Sequence, residues 1–77
     1  MSADNLILIA KLPNRNFAVK ELTFPEFEDL EYESFMDGMY YDENIFSTLE
    51  YAFHKAVNLL HNSNAEYGIR YIDFKDH

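Results

Sequence analysis

Cysteine is absent from this chain, glycine occurs twice, and only six lysine and arginine residues stand against fourteen aspartates and glutamates in 77 positions. Without cysteine there is no disulfide framework, no thiolate zinc site and no cysteine nucleophile. Two glycines cannot build the loop of backbone N–H groups that cradles a phosphate. The scarcity of cations, with a net charge of -8 and a pI near 4.5, sets the chain against direct binding to nucleic acid or to an anionic membrane, because either would repel it. The complement of such a surface is a basic protein. Long hydrophobic runs are also missing: the longest, Leu6 to Ala10, is far too short to cross a bilayer, and the Met1 end carries no basic flank of the signal-peptide kind. The expectation is a soluble, unexported, cytoplasmic protein that needs no cofactor.

What the chain does have is apolar and aromatic side chains, at 48% and 17% of residues. Burial of that many rings offsets the entropy of ordering, so a folded protein rather than a disordered one is expected. The length gives one domain, residues 1–77, and a chain this short buries roughly 60% of the surface that its unfolded form exposes. The aromatics concentrate in a distinctive place. From Glu21 to His54, 34 positions, there is no lysine or arginine, and ten carboxylates alternate with nine phenylalanines and tyrosines.

Taken in order, Leu6-Ile7-Leu8-Ile9-Ala10 reads as a strand buried on both faces, since it has no polar face. Lys11 to Asn16 supplies proline and two asparagines for a turn, and Phe17 to Leu22 resumes as a second strand, giving a β-hairpin. Thr23-Phe24-Pro25-Glu26 has the form of a capping box: the Thr23 hydroxyl can accept from the Glu26 N–H while the Glu26 carboxylate accepts from the Thr23 N–H. A helix is expected from there to Phe35 or Met36, with Phe27, Leu30 and Ser34 on one face and Glu26, Asp29 and Glu33 on the other. The acidic face costs stability, about 0.2–0.5 kcal/mol for each like-charge neighbour pair. Its acidity is therefore not explained by what the helix needs.

Gly38 should end that helix, and Asp42 is placed to cap a second from Glu43 to His61, whose arc of Ile45, Phe46, Leu49, Ala52, Phe53, Ala56, Val57, Leu59 and Leu60 would carry most of the core. Leu49, Phe53 and Leu60 are expected to hold the fold. Asn62-Ser63-Asn64 ends the helix, and Tyr67 to Phe74 is rich enough in aromatic and β-branched residues to form a third strand. The order is ββααβ, an α+β fold in which a small three-stranded sheet, with Leu6 to Ala10 in the middle, is packed on one face by two helices.

Catalysis has little to stand on. The serines sit in no nucleophile-elbow context, and the carboxylate pairs of the first helix have no evident cleft to split their pKa values, so no enzyme and no catalytic residue is expected. Glu43, Glu50, His54 and His61 form a stripe on the second helix, but His54 and His61 are separated by about 10 Å of helix rise. No metal site is expected there. An EF-hand alignment around Gly38 would put Phe35 and Asn44 at ligand positions, which excludes it. Tyr40 and Tyr41, between the helices, could present an aromatic contact patch ringed by carboxylates.

The run Ala10 to Phe27, in which a strand ends in Leu12-Pro13 and a second closes on Glu21-Leu22-Thr23 ahead of an acidic helix, resembles the opening of small tail or baseplate assembly proteins of contractile-tailed bacteriophages. That resemblance implies a non-catalytic assembly chaperone or hub that binds a virion protein transiently. Two functions follow. In the first, the chain is an acidic adaptor or assembly chaperone whose Glu26, Asp29, Glu33, Asp37, Tyr40 and Tyr41 dock a basic or partly folded protein. In the second, it is an inhibitor that mimics nucleic acid, with Glu26, Asp29, Glu33 and Asp37 spaced along about 16 Å of one helix to occupy the DNA- or RNA-binding channel of a host enzyme. Monomer and homodimer both fit, the latter through the free edge of the third strand if it lies outermost.

Overall fold

The first strand governs the arrangement of everything else. The computed structural model describes residues 4–37, 44–63 and 65–74, and within them β1 (Asn5–Lys11) is flanked on both sides and covered on both faces. Leu6, Leu8 and Ala10 point one way and Ile7 and Ile9 the other, as the strand period of two requires, and all five are buried. An uninterrupted apolar strand cannot be satisfied by a single packing layer. The structure accordingly places helices on both faces of the sheet, where the sequence reading put two helices on one.

β2 (Phe17–Thr23) returns antiparallel to β1 in a register that sets Leu6 opposite Leu22 and Ala10 opposite Ala18. The connecting turn is closed by the Arg15 N–H donating to the Leu12 carbonyl at 2.9 Å and by the Leu12 N–H donating to the Asn16 carbonyl at 2.8 Å. Arg15 occupies the left-handed region at φ 75°, a position where glycine or asparagine would be less strained. The hairpin agrees with the sequence reading.

The capping box forms as expected. Thr23 caps α1 (Phe24–Glu28), its N–H donating to Glu26 Oε1 at 2.8 Å while the Glu26 N–H donates to Thr23 Oγ1 at 3.3 Å. The expected single helix to Met36 does not. The chain leaves helical geometry at Asp29, passes through an extended Glu31 at φ -128°, and starts again as α2 (Tyr32–Met36). Phe35, on α2, is only 1% exposed. Phe24, Phe27, Leu30, Tyr32 and Met36 join it over Leu6, Leu8, Ala10 and Leu22 on one face of the sheet.

A further correction concerns Ile45 and Phe46, which form β3 (Ile45–Phe46), a two-residue strand antiparallel to β2, rather than the start of a helix. The helix α3 (Leu49–Asn62) begins later, capped by Thr48, whose Oγ1 accepts from the Tyr51 N–H at 3.2 Å. It crosses the second face of the sheet, seating Ala52 and Ala56 over Ile7, Ile9 and Val19. β4 (Ile69–Asp73) then pairs parallel to β1, Ile7 opposite Ile69 and Ile9 opposite Tyr71. The fold is α+β, with a four-stranded mixed sheet in the order β3-β2-β1-β4. β1 is flanked by β2 and β4, as the sequence suggested.

The capping box gives a pH-dependent prediction. The Thr23 N–H, and secondarily its hydroxyl, hold the Glu26 carboxyl below its ordinary value of 4.5, with the Lys20 ammonium contributing in the same direction. Because the folded value lies below the unfolded one, the carboxylate contributes stability above 4.5 that is lost as the pH falls through the folded value. Urea unfolding of wild type and Glu26→Gln should show a stability gap that is constant near neutrality and closes in acid; a gap independent of pH would remove this account. Thr23→Ala should cost about 0.5–2 kcal/mol.

Candidate functional site

The acidic side of the molecule is built by the broken α1–α2 segment. Glu28, Asp29, Glu31, Glu33 and Asp37 are all exposed. The break sorts the expected site residues into two pairs. Glu26 and Asp29 rim a cleft of about 390 Å³ between α1, α2 and β2, with Lys20, Leu22, Pro25, Leu30, Ser34 and Phe35 as its other walls. Glu33 and Asp37 line a neighbouring depression with Tyr32, Ser34 and Met36, so Ser34 belongs to both. Tyr40 and Tyr41, the expected aromatic patch, lie outside the described residues, as do Gly38, the expected helix break, and Asp42, the expected cap.

Lys20, which sequence reasoning passed over, occupies the acidic cleft. Its position on β2 opposite Leu8 points it to the α1–α2 face, where its Nζ donates to the Phe35 carbonyl at 3.4 Å and stands 5.7 Å from the centre of the Phe35 ring. An ammonium group over an aromatic face is attracted by the ring quadrupole. The cleft therefore already shows how it receives a cation: an apolar wall for the stem, a ring and a carbonyl for the head, and carboxylates at the rim. The signal was available in sequence, because Lys20 is the last cation before the acidic stretch and shares its strand face with Ala18 and Leu22.

A second surface lies on the opposite face of the sheet. α3 packs over β1 and β2 and reaches β4 only sparsely, because its contact residues Ala52 and Ala56 place its axis above the middle of the sheet. The outer edge is left uncovered. There Leu49 at 46%, Phe53 at 51% and Tyr71 at 51% exposure border a groove of about 500 Å³ floored by Ile9 and Ile69, with Glu50 and Arg70 at its margins. Leu49 and Phe53 therefore do not hold the fold as expected. Their helical spacing marked them as apolar but could not say that the small Ala52 and Ala56, rather than they, face the sheet.

Glu50, His54 and His61 are exposed along α3, and among the described residues no group of three His, Asp or Glu side chains is placed to hold a metal ion. No helix among them is long and apolar enough to cross a membrane. No family model, curated protein or solved structure matches the chain.

Proposed function

We propose that this protein is a non-catalytic acidic interaction module, an adaptor or assembly chaperone whose α1–α2 side binds a basic or partly folded protein. The observation that carries the reading is the cleft in which Glu26 and Asp29 stand over the apolar walls of Leu22, Leu30 and Phe35. Lys20 already engages the Phe35 ring and carbonyl, so a partner's lysine or arginine would meet the exposed Glu26 and Asp29 at the rim, and an apolar residue beside it would meet Pro25 and Leu30. Exposed Glu28, Glu31, Glu33 and Asp37 around it would speed encounter through long-range attraction, and the cleft would hold the complex. This agrees in kind with the transient virion-protein binding implied by the resemblance of the hairpin and the first acidic turn to phage tail assembly proteins.

The nucleic-acid-mimicking reading depended on four carboxylates along one helix axis. Since the chain leaves helical geometry between Asp29 and Glu31, they are not on one axis, and we do not adopt it.

Titration of the isotopically labelled protein with a peptide that alternates lysine and leucine should move the amide resonances of Lys20, Leu22, Leu30 and Phe35. The double variant Asp29→Lys/Glu33→Lys, which leaves the Glu26 capping box intact, should weaken that binding by about tenfold or more, as should raised salt. Binding that ignores both changes, or resonance shifts confined to α3 and β4, would sink the proposal.

A further inference from the structure

We propose that the β4 edge and the groove beside it form a self-association surface whose occupant is a second copy of this chain, paired antiparallel through β4 about a two-fold axis at Tyr71. This inference uses the opposite side of the sheet from the acidic cleft and stands or falls independently of it.

β4 ends the sheet, and its free backbone groups can be assigned. The Ile7 N–H donates to the Gly68 carbonyl at 2.9 Å, and the Phe74 N–H donates to the Lys11 carbonyl at 2.8 Å. Even-numbered positions therefore turn their backbone groups toward β1, and by the strand period Ile69, Tyr71 and Asp73 turn theirs outward. The other edge of the sheet, β3, is only two residues long, which is one of the ways proteins blunt an edge. β4 has no such protection among the described residues, and the large apolar side chains beside it are exposed.

The identity of the occupant comes from the strand itself. A two-fold antiparallel pair sets one residue opposite its own copy. Centred on Arg70, the pair would place two guanidinium groups against each other; centred on Ile72, it would pair only Tyr71 to Asp73 within β4. Centred on Tyr71, it uses the whole strand. Ile69 then faces Asp73 of the second copy, Arg70 faces Ile72 of the second copy, and the two Tyr71 side chains form an aromatic cross-strand pair. Every outward N–H and C=O of Ile69, Tyr71 and Asp73 finds a partner. In a chain of net charge -8, β4 is electrically neutral, with Arg70 toward one end and Asp73 at the other. By the strand period Arg70 and Asp73 point to opposite faces, so it is the neutrality of the strand, and not an ion pair, that lets two copies of an acidic chain approach along this edge. On the α3 side, Leu49, Phe53 and Tyr71 of both copies meet across the axis and close the groove.

Light scattering over a concentration series should show a monomer passing to a dimer, and hydrogen exchange should show the Tyr71 and Asp73 amides becoming protected with it. Asp73→Pro removes one outward donor without touching the bonds to β1, since those are made from even positions. It should weaken dimerisation by about tenfold or more with unchanged circular dichroism. Tyr71→Arg, at a half-exposed position, tests the same pairing should the proline variant fold poorly, because it brings two like charges together at the axis. A monomer at every concentration overturns the proposal. So does a dimer whose Tyr71 and Asp73 amides exchange freely, or an edge that pairs only with an unrelated extended peptide.

Discussion

Phe35→Ala should destabilise the protein by about 3–5 kcal/mol, the range for emptying a buried aromatic site. A chain of this length has about 4–12 kcal/mol to lose, so the variant should sit at or near its folding threshold at room temperature. The size of the effect follows from what the ring touches. It is the largest fully buried side chain among the described residues, it meets Phe74 at 5.6 Å between ring centres, and it carries the ammonium of Lys20 on its face. α2 has only five residues, too few to be helical in isolation, and this ring anchors it to the sheet. Urea unfolding measures the loss directly; a change below about 1 kcal/mol would show that the site collapses around the missing ring.

Ala56→Leu is expected to be nearly as damaging, at about 1–3 kcal/mol or more, although it adds apolar surface. Ala52 and Ala56 are both fully buried and set the distance at which α3 approaches β1 and β2. Larger side chains there must push the helix off the sheet. Phe53→Ala on the same helix removes far more apolar volume yet should cost about 1 kcal/mol or less, because half of that ring already faces solvent. Thermal unfolding of the two variants side by side decides the matter. If Phe53→Ala proves the more destabilising, the orientation of α3 described above is wrong.

The hairpin and the capping box were legible in sequence because their determinants are local. Thr23, Pro25 and Glu26 need only one another, and Pro13 with Asn14 and Asn16 needs only the turn. The second helix was misjudged at its start, where Ile45 and Phe46 fit an apolar helical arc as well as a short edge strand. Thr48 was the available signal, a capping residue directly ahead of Leu49 and Glu50. The two-sided packing was also foreshadowed, since five consecutive buried residues in one strand require cover above and below. The candidate site was less legible. Its acidic residues could be listed from sequence, but their division into two pairs depends on the break between α1 and α2, and the groove depends on which flank of α3 the sheet selects. Both are decided by tertiary packing.

The pairing of Ile7 with Ile69 has a kinetic consequence. β1 joins β2 through a short turn, so the hairpin and α1 can form from contacts close in sequence, but the second neighbour of β1 is the last strand of the sheet. Until α3 has crossed and β4 has docked, one edge of the most apolar segment in the chain is bare. Folding should therefore run in two stages of unequal speed, a fast local hairpin followed by a slower closure that joins the two ends of the sequence. The open β1 edge is the point at which an incompletely folded chain is most exposed to pairing with the wrong strand.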